Sequence, residues 1–502
     1  MRLTELLRSA GLEASDVLVE SSHKKSLDDV AVMGLALNSK KVRPGCIFAA
    51  LPGHLSHGIQ YAVAAVEAGA VAIVTDSEGA SSAGELDVPI VVIDDARARL
   101  GALSAALYGW PARSLSMMGV TGTNGKTTVT HLIQGALLDS GISCGLIGTL
   151  GTSWANVEAI PHERTTPESP ELQANLAAMV ADGVQAVAME VSSIALREHR
   201  IDGVDFDVAV FTGLTQDHLD YHGSMQAYFE AKADLFSSER SRHGVVAIDD
   251  DWGKQLVDYS TIPVVSVSAK GHEADWNISY KDGHIRIDGI DHASVRHAIA
   301  ADFTLLNVGL AVAVAHRHGI SAQAAAESAI KARVPGRMEL VATRDGIDFI
   351  VDYAHTPDAI REVVSAAARA RGQAGHRVIV VLGAGGDRDP SKRPLMGDAA
   401  AVADLVIVTD DNPRSEDPAC IRAEVSKGVR RSGSSVQEIP GRREAIEEAV
   451  RSALPGDVVL VLGKGHETTQ EFADHVLTFN DREVLAFFVE DRFGADGKGH
   501  SQ

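Results

Sequence analysis

The sequence predicts an α/β fold built on mostly parallel sheets, and three observations support this. Short apolar runs recur along the chain, each closed by a polar or glycine-rich loop. The intervals between many of them leave room for crossover helices, which parallel strands require. One interval, after the run Leu115 to Val120, is a glycine-rich turn leading into a helix-like stretch, Val129 to Leu138. Strand, turn and helix in that order direct backbone N–H groups at an anion.

The 502 residues exceed one ordinary core, so several domains are expected. Residues 1–113 contain the runs Cys46 to Ala50, Ala70 to Val74 and Val88 to Ile93, with a helix predicted from Ile59 to Gly69. They read as a small α/β domain. Residues 114–338 begin with the glycine-rich turn and continue through the strands Ala186 to Glu190 and Phe206 to Phe211 and a helix from Leu305 to His316. Residues 339–502 carry Phe349 to Asp352, Arg377 to Leu382, Leu405 to Thr409 and Val458 to Leu462. That spacing predicts a second parallel sheet, with ligands at the carboxyl ends of its strands.

The formal net charge of −22 opposes affinity for nucleic acid or anionic membranes, though a local arginine cluster can still hold an anionic small molecule. Cys46, Cys144 and Cys420 are widely separated and form no metal or disulfide spacing. The amino terminus lacks the apolar stretch of a signal peptide, and no apolar run reaches membrane-spanning length. The expectation is a cytoplasmic chain without membrane insertion or an obligate protein partner.

The turn Gly122-Thr123-Asn124-Gly125-Lys126-Thr127-Thr128 supplies N–H groups, a lysine for phosphate charge and a hydroxyl for Mg²⁺. Val120 stands where a regular Walker sequence has its first glycine. Glu190, at a strand end, is well placed for Mg²⁺ directly or through water, with a helix-capping role as the alternative. His218, in Asp217-His218-Leu219-Asp220-Tyr221-His222-Gly223, can complete a metal shell or serve as a loop residue. Taken alone, Lys232 reads as an ordinary exposed lysine.

These segments, with Met189-Glu190-Val191-Ser192-Ser193 and Tyr228-Phe229-Glu230-Ala231-Lys232, resemble the Mur ligase family of peptidoglycan synthesis over essentially the whole chain. The resemblance implies a three-domain architecture: a UDP-binding domain, a central P-loop ATPase domain and a carboxyl-terminal Rossmann-like amino-acid domain. It implies that Lys126 meets the β/γ-phosphates of ATP, that Thr127 and Glu190 organise Mg²⁺, and that His218 lies near a second Mg²⁺. Lys232 matches the lysine that CO₂ carbamylates, which turns a cation into an anionic oxygen donor.

By the same resemblance Ser39 and the Gly53-His54 loop touch the UDP moiety, with Lys40 in place of a family arginine. Thr165, Thr166, Ser192 and Arg200 hold the muramoyl-dipeptide. Ile194 replaces a histidine, and Glu198 stands where many members have glutamine, adding negative charge near an acidic substrate. Asn307, at a helix start, resembles an adenine contact, while Arg337, Asp352 and His355 resemble nucleotide neighbours. His355 alone reads equally as a local backbone cap.

Asp411-Asn412-Pro413-Arg414 resembles the signature of members that add meso-2,6-diaminopimelate. Arg388 and Arg414 can pair with carboxylates, Glu467 can receive an ammonium, and the backbone near Gly463 can assist. The implied reaction joins that diamino acid to UDP-N-acetylmuramoyl-L-alanyl-D-glutamate, using ATP and passing through an acyl phosphate. Two alternatives stay open: the same ligation with L-lysine or another diamino acid, and a noncatalytic ATP-binding sensor of UDP-muramoyl peptides.

Overall fold

The computed structural model describes residues 1–12, 17–20, 27–53, 56–155, 157–296, 302–370 and 375–494. The chain divides into two compact units, the first made of 1–268, 272–277 and 309–329, the second of 269–271, 278–308 and 330–502.

In the first unit, β1 (Val17–Glu20), β2 (Gly34–Ala36), β3 (Cys46–Ala49), β4 (Ala72–Thr75) and β5 (Ile90–Ile93) form one sheet in the order β1-β5-β4-β3-β2. Only β1 runs antiparallel to its neighbour. Alternation along β3 sends Ile47 and Ala49 into one core with Leu3, Leu6, Leu100 and Leu103, and Phe48 into another with Ile73, Ile90 and Val92. The helix expected from Ile59 begins as a tight 3₁₀ turn, Gly58–Tyr61, and becomes α-helical over Ala62–Glu67.

The larger sheet of this unit contains β6 (Ser116–Thr121), β7 (Cys144–Gly148), β8 (Gly151–Trp154), β9 (Val157–Ile160), β10 (Ala186–Glu190), β11 (Phe206–Phe211), β12 (Ser241–Ala247) and β13 (Val264–Ser268). Their order is β13-β12-β11-β6-β10-β7-β8-β9, and Val267 and Ser268 also pair with Trp276 and Asn277 at the start of β14 (Trp276–Lys281). Strands β7, β10, β6, β11, β12 and β13 run parallel, while β8 and β9 turn back antiparallel. Strand β6 therefore sits between β10 and β11, and the loops leaving all three emerge at one edge. This is where an open α/β sheet receives a ligand.

In the second unit, β15 (His284–Gly289) and β16 (Ala293–Arg296) form an antiparallel pair. A separate sheet holds β17 (Glu339–Arg344), β18 (Ile347–Asp352), β19 (Val378–Leu382), β20 (Leu405–Val408), β21 (Ser435–Glu438) and β22 (Val458–Leu462) in the order β17-β18-β22-β19-β20-β21. All but β17 are parallel, with apolar cores on both faces; Val380 and Leu460 point to one, Val381 and Val461 to the other. That explains why its central strands β19, β20 and β22 read as unbroken apolar runs. A hairpin of β23 (Thr469–Glu471) and β24 (Val476–Thr478) follows β22.

Candidate functional site

At the edge beyond β6, the chain turns through Gly122 (φ +146°) and Gly125 (φ +86°) into the helix Lys126–Asp139. A Cβ on Gly122 would lie 1.9 Å from Thr212 Oγ1, so only glycine fits there. The Lys126 ammonium folds back to donate to the carbonyls of Gly122 and Thr123, both at 3.0 Å. Thr123 Oγ1 accepts from Thr215 N at 3.0 Å, and Thr212 reaches the Asn124 carbonyl, tying the turn to the loop after β11. Thr127 is buried, and Thr128 follows it in the first helical turn.

Glu190 ends β10 almost fully buried, and it is not a helix cap. Its Oε1 accepts from Thr149 N at 2.8 Å and its Oε2 from Thr149 Oγ1 at 3.2 Å. The same hydroxyl lies 3.2 Å from Thr165 Oγ1, whose own O–H can donate to it. Thr166 Oγ1 donates to the Glu190 carbonyl at 2.9 Å and accepts from Ser192 N at 3.1 Å. Glu190, Thr165, Thr166 and Ser192 thus form one network, with Ser192 also capping the helix Ser193–Arg197.

Lys232 is not the exposed lysine of the isolated reading: it is 1% exposed, because its helix Met225–Ala233 presses its inner face against the loops. Its Nζ donates to the Gly122 carbonyl at 2.8 Å and lies 4.6 Å from the centre of the Tyr228 ring. Burial, and then the charge of Lys126, hold its pKa well below the usual lysine range. His218 stands in the left-handed region (φ +51°) with its imidazole about half exposed. Its pKa is lowered by desolvation and by the charges of Lys126 and Lys232, against the nearby carboxylate of Asp217.

Among the described residues no three His, Cys, Asp or Glu side chains converge on a metal position. The chemistry of the donors still fits Mg²⁺, which keeps most of its waters and takes one or two carboxylates together with substrate phosphates. Glu190 supplies one carboxylate, and each of its oxygens retains a free lone pair.

A charge cluster borders this network. One carboxylate, Glu168, holds Arg97 Nη1 at 2.8 Å, Arg164 Nη1 at 3.0 Å and Arg200 Nε at 3.1 Å. Arg200 is buried, and desolvation lowers its pKa. Its two terminal nitrogens have no partner among the described residues. Glu198 is already engaged by Arg97 Nη2 at 3.3 Å and by the Tyr221 hydroxyl at 2.7 Å. Its negative charge is thereby absorbed within the protein. Ser39 opens the short 3₁₀ turn after β2, where Asn38 caps Lys40 N at 3.0 Å; His54 lies outside the described residues.

In the second unit, Asn307 is buried in the second turn of the helix Asp302–Arg317, because that helix begins earlier than its apolar periodicity suggests. Asn307 is therefore not at a helix start. Asp352, at the end of β18, accepts from Met338 N at 2.6 Å and Ala354 N at 2.8 Å, and burial raises its pKa despite both bonds. Arg337 stacks 4.2 Å from the centre of the Tyr353 ring, and exposed His355 bonds the Tyr353 carbonyl at 2.8 Å.

Beyond β19, β20 and β22 a second cluster gathers. Asp411 and Asn412 are buried, and Asn412 Nδ2 donates to Glu467 Oε2 at 3.0 Å. Pro413 leads to Arg414, which has φ +51°. Arg414 donates from Nε to Glu471 Oε2 at 2.8 Å and from Nη1 to the Gly386 carbonyl at 2.8 Å. Arg388 is exposed on the loop after β19. Gly463 (φ +114°) turns the chain out of β22 close to Asp411. Two groups were not singled out in the sequence. Lys464 is fully buried, and Arg442 makes a paired bond to Asp481, both distances 2.7 Å, with neither side chain exposed.

Three family models match this chain: the Mur ligase family catalytic domain over residues 31–108, the Mur ligase middle domain over 120–315, and the Mur ligase glutamate ligase domain over 336–465. The chain belongs to the Mur ligase family. Two relatives named UDP-N-acetylmuramoyl-L-alanyl-D-glutamate--2,6-diaminopimelate ligase are similar over nearly full length. The one from Streptomyces avermitilis is 43% identical, covering 93% of this chain and 94% of its own. The one from Corynebacterium glutamicum is 44% identical, covering 92% of each. A solved structure of a ligase with the same name is 32% identical, with a TM-score of 0.67 over 93% of this chain and 96% of its own. The α/β Mur ligase architecture expected from the sequence is the one observed. Among the described residues no helix is long and apolar enough to cross a membrane.

Proposed function

We propose that this enzyme ligates meso-2,6-diaminopimelate to the D-glutamyl γ-carboxylate of UDP-N-acetylmuramoyl-L-alanyl-D-glutamate, consuming ATP. The observation that carries this reading is the cluster beyond β20 and β22, where Asn412 joins a cation reader to an anion reader. Its Nδ2 holds Glu467, and its Oδ1 accepts from the backbone of Glu471, whose side chain holds Arg414. A carboxylate beside a guanidinium suits the zwitterionic distal end of diaminopimelate. L-Lysine has no distal carboxylate for Arg414. The names of the full-length relatives support the same substrates.

The division of labour we propose is UDP binding by residues 1–113, with Ser39, nucleotide and Mg²⁺ binding by 114–338, and amino-acid binding by 339–502. Thr165, Thr166, Ser192 and Arg200 hold the dipeptide. Asn307, Arg337, Asp352 and His355 serve the nucleoside; each oxygen of Asp352 keeps a lone pair for a ribose hydroxyl. Arg388 is a second carboxylate reader. A cytoplasmic location follows from a reaction that consumes ATP.

A carboxylate is a poor acyl donor because oxide cannot leave. Attack of a γ-carboxylate oxygen on the γ-phosphorus of ATP releases ADP and forms an acyl phosphate. The amine of the amino acid then attacks the acyl carbon, phosphate leaves, and the amine proton passes to solvent. Lys126 and the N–H groups of Asn124 to Thr128 stabilise the phosphate charge throughout. Glu190, Thr127 and carbamylated Lys232, with His218 nearby, would hold Mg²⁺, which neutralises phosphate charge when bound. CO₂ reacts only with the uncharged amine, and burial of Lys232 favours that form.

The test is a product-mass assay with ATP, the UDP-dipeptide and, in turn, meso-diaminopimelate, its LL isomer, L-lysine and L-ornithine, with phosphate release followed in parallel. Tripeptide formed mainly from the meso isomer is expected. A preference for L-lysine overturns the substrate assignment, and binding of ATP without phosphate release favours a sensor.

A further inference from the structure

Lys464 carries no role in the reading above, yet its ammonium sits at the centre of the amino-acid cluster. It is 0% exposed, at the second residue beyond β22. Its Nζ meets Asn412 Oδ1 at 2.8 Å, Glu467 Oε2 at 3.1 Å and Asp411 Oδ1 at 3.5 Å. An ammonium has three N–H donors, and here three acceptors surround it.

Two consequences follow for neighbouring groups. Asn412 Oδ1 accepts from both Lys464 Nζ and Glu471 N at 3.1 Å, so its amide cannot flip without turning NH₂ against two donors. Asn412 Nδ2 is thereby aimed at Glu467 Oε2, which then takes two donors, Asn412 and Lys464. Glu467 Oε1 has no partner among the described residues, and the Glu467 side chain is about one-third exposed. Of the two oxygens, one is pinned inward and the other is left for an incoming ammonium.

We infer that Lys464 is a positioning residue for amino-acid selection, acting through Asn412 and Glu467 and not by touching substrate. This rests on the proposed assignment of the cluster to the diamino acid. It also explains why a lysine is retained where burial of an unpaired ammonium is costly: the charge is matched and each proton is used.

The experiment measures KM and kcat for meso-diaminopimelate, and KM for ATP and UDP-dipeptide, in the full-length wild type, Lys464→Met, Glu467→Gln and the double variant. Lys464→Met is expected to raise the diaminopimelate KM about tenfold or more, with both other KM values within about twofold. If Lys464 acts through Glu467, the double variant has nearly the same diaminopimelate KM as Glu467→Gln alone. Should Lys464→Met fail to fold, the double variant, which removes both charges, still gives that comparison. Multiplied effects in the double variant, its failure to fold, or equal weakening of all three substrates would overturn the assignment and leave Lys464 a structural lysine. Absence of tripeptide product in the wild type would instead overturn the functional reading beneath it.

Discussion

Arg414→Ala is the substitution whose size the geometry bounds best. Two of the three guanidinium nitrogens are committed, Nε to Glu471 and Nη1 to the Gly386 carbonyl, and Nη2, without a partner among the described residues, faces no competitor there for a substrate carboxylate. The guanidinium is about one-quarter exposed and Glu471 nearly half exposed, so deleting the arginine strands no buried charge. The large penalty of breaking a buried pair therefore does not apply. What remains is one charge-assisted bond to ligand, about 1.5–3 kcal/mol. That converts to a loss of about 10- to 150-fold in kcat/KM for diaminopimelate. Released Glu471 adds repulsion toward the same carboxylate, favouring the upper half of the range. Steady-state kinetics at saturating ATP and UDP-dipeptide, with diaminopimelate and L-lysine compared, provide the check. L-Lysine use should change by less than about threefold, since no ammonium site is created. An unchanged preference between the two amino acids would show that Arg414 does not read the distal carboxylate.

Three further outcomes are expected. Lys232→Ala should abolish most product formation while ATP still binds, and short carboxylates should restore part of it; normal turnover of the folded variant in CO₂-free buffer would exclude an essential carbamate. Gly122→Ala should remove measurable ATP binding in calorimetry, because its Cβ would collide with Thr212 Oγ1 at 1.9 Å; retained affinity would mean that the turn relaxes freely. Arg442→Met should destabilise its unit by about 3–5 kcal/mol by leaving Asp481 buried and unpaired. At about 2–4 °C per kcal/mol this lowers Tm by roughly 6–20 °C in a thermal scan, and a shift below a few degrees would show that water reaches the carboxylate.

Strands buried on both faces were the most legible elements, because nothing interrupts their apolar runs. Ala186–Glu190, Phe206–Phe211 and Val458–Leu462 coincide with their predicted limits. Short or half-exposed strands such as β21 and β23 lack that signal. Helix starts were less legible, as at Asp302, where Asp302 and Thr304 interrupt the apolar pattern at the beginning. Of the candidate site, the residues at strand ends were readable because loop chemistry concentrates there. Glu168, Lys464 and Glu471 were not. Each acts through partners far away in sequence: Arg97 is 71 residues from Glu168, and Arg414 is 57 from Glu471. Those pairings are a product of tertiary packing, which one-dimensional periodicity does not record.

The grip of Glu168 on three arginines has a consequence for when work is done. Guanidinium groups bind an anion only after shedding water and settling into one rotamer. Arg200, the buried member of the three, makes that adjustment as the chain folds, paired with a carboxylate that stays in place. On the proposed function, a dipeptide carboxylate arriving at Arg200 meets a group already dry and aimed, with its two terminal nitrogens unclaimed. Folding free energy is thus exchanged for affinity at this corner, and the substrate is spared an ordering step that a flexible arginine would impose.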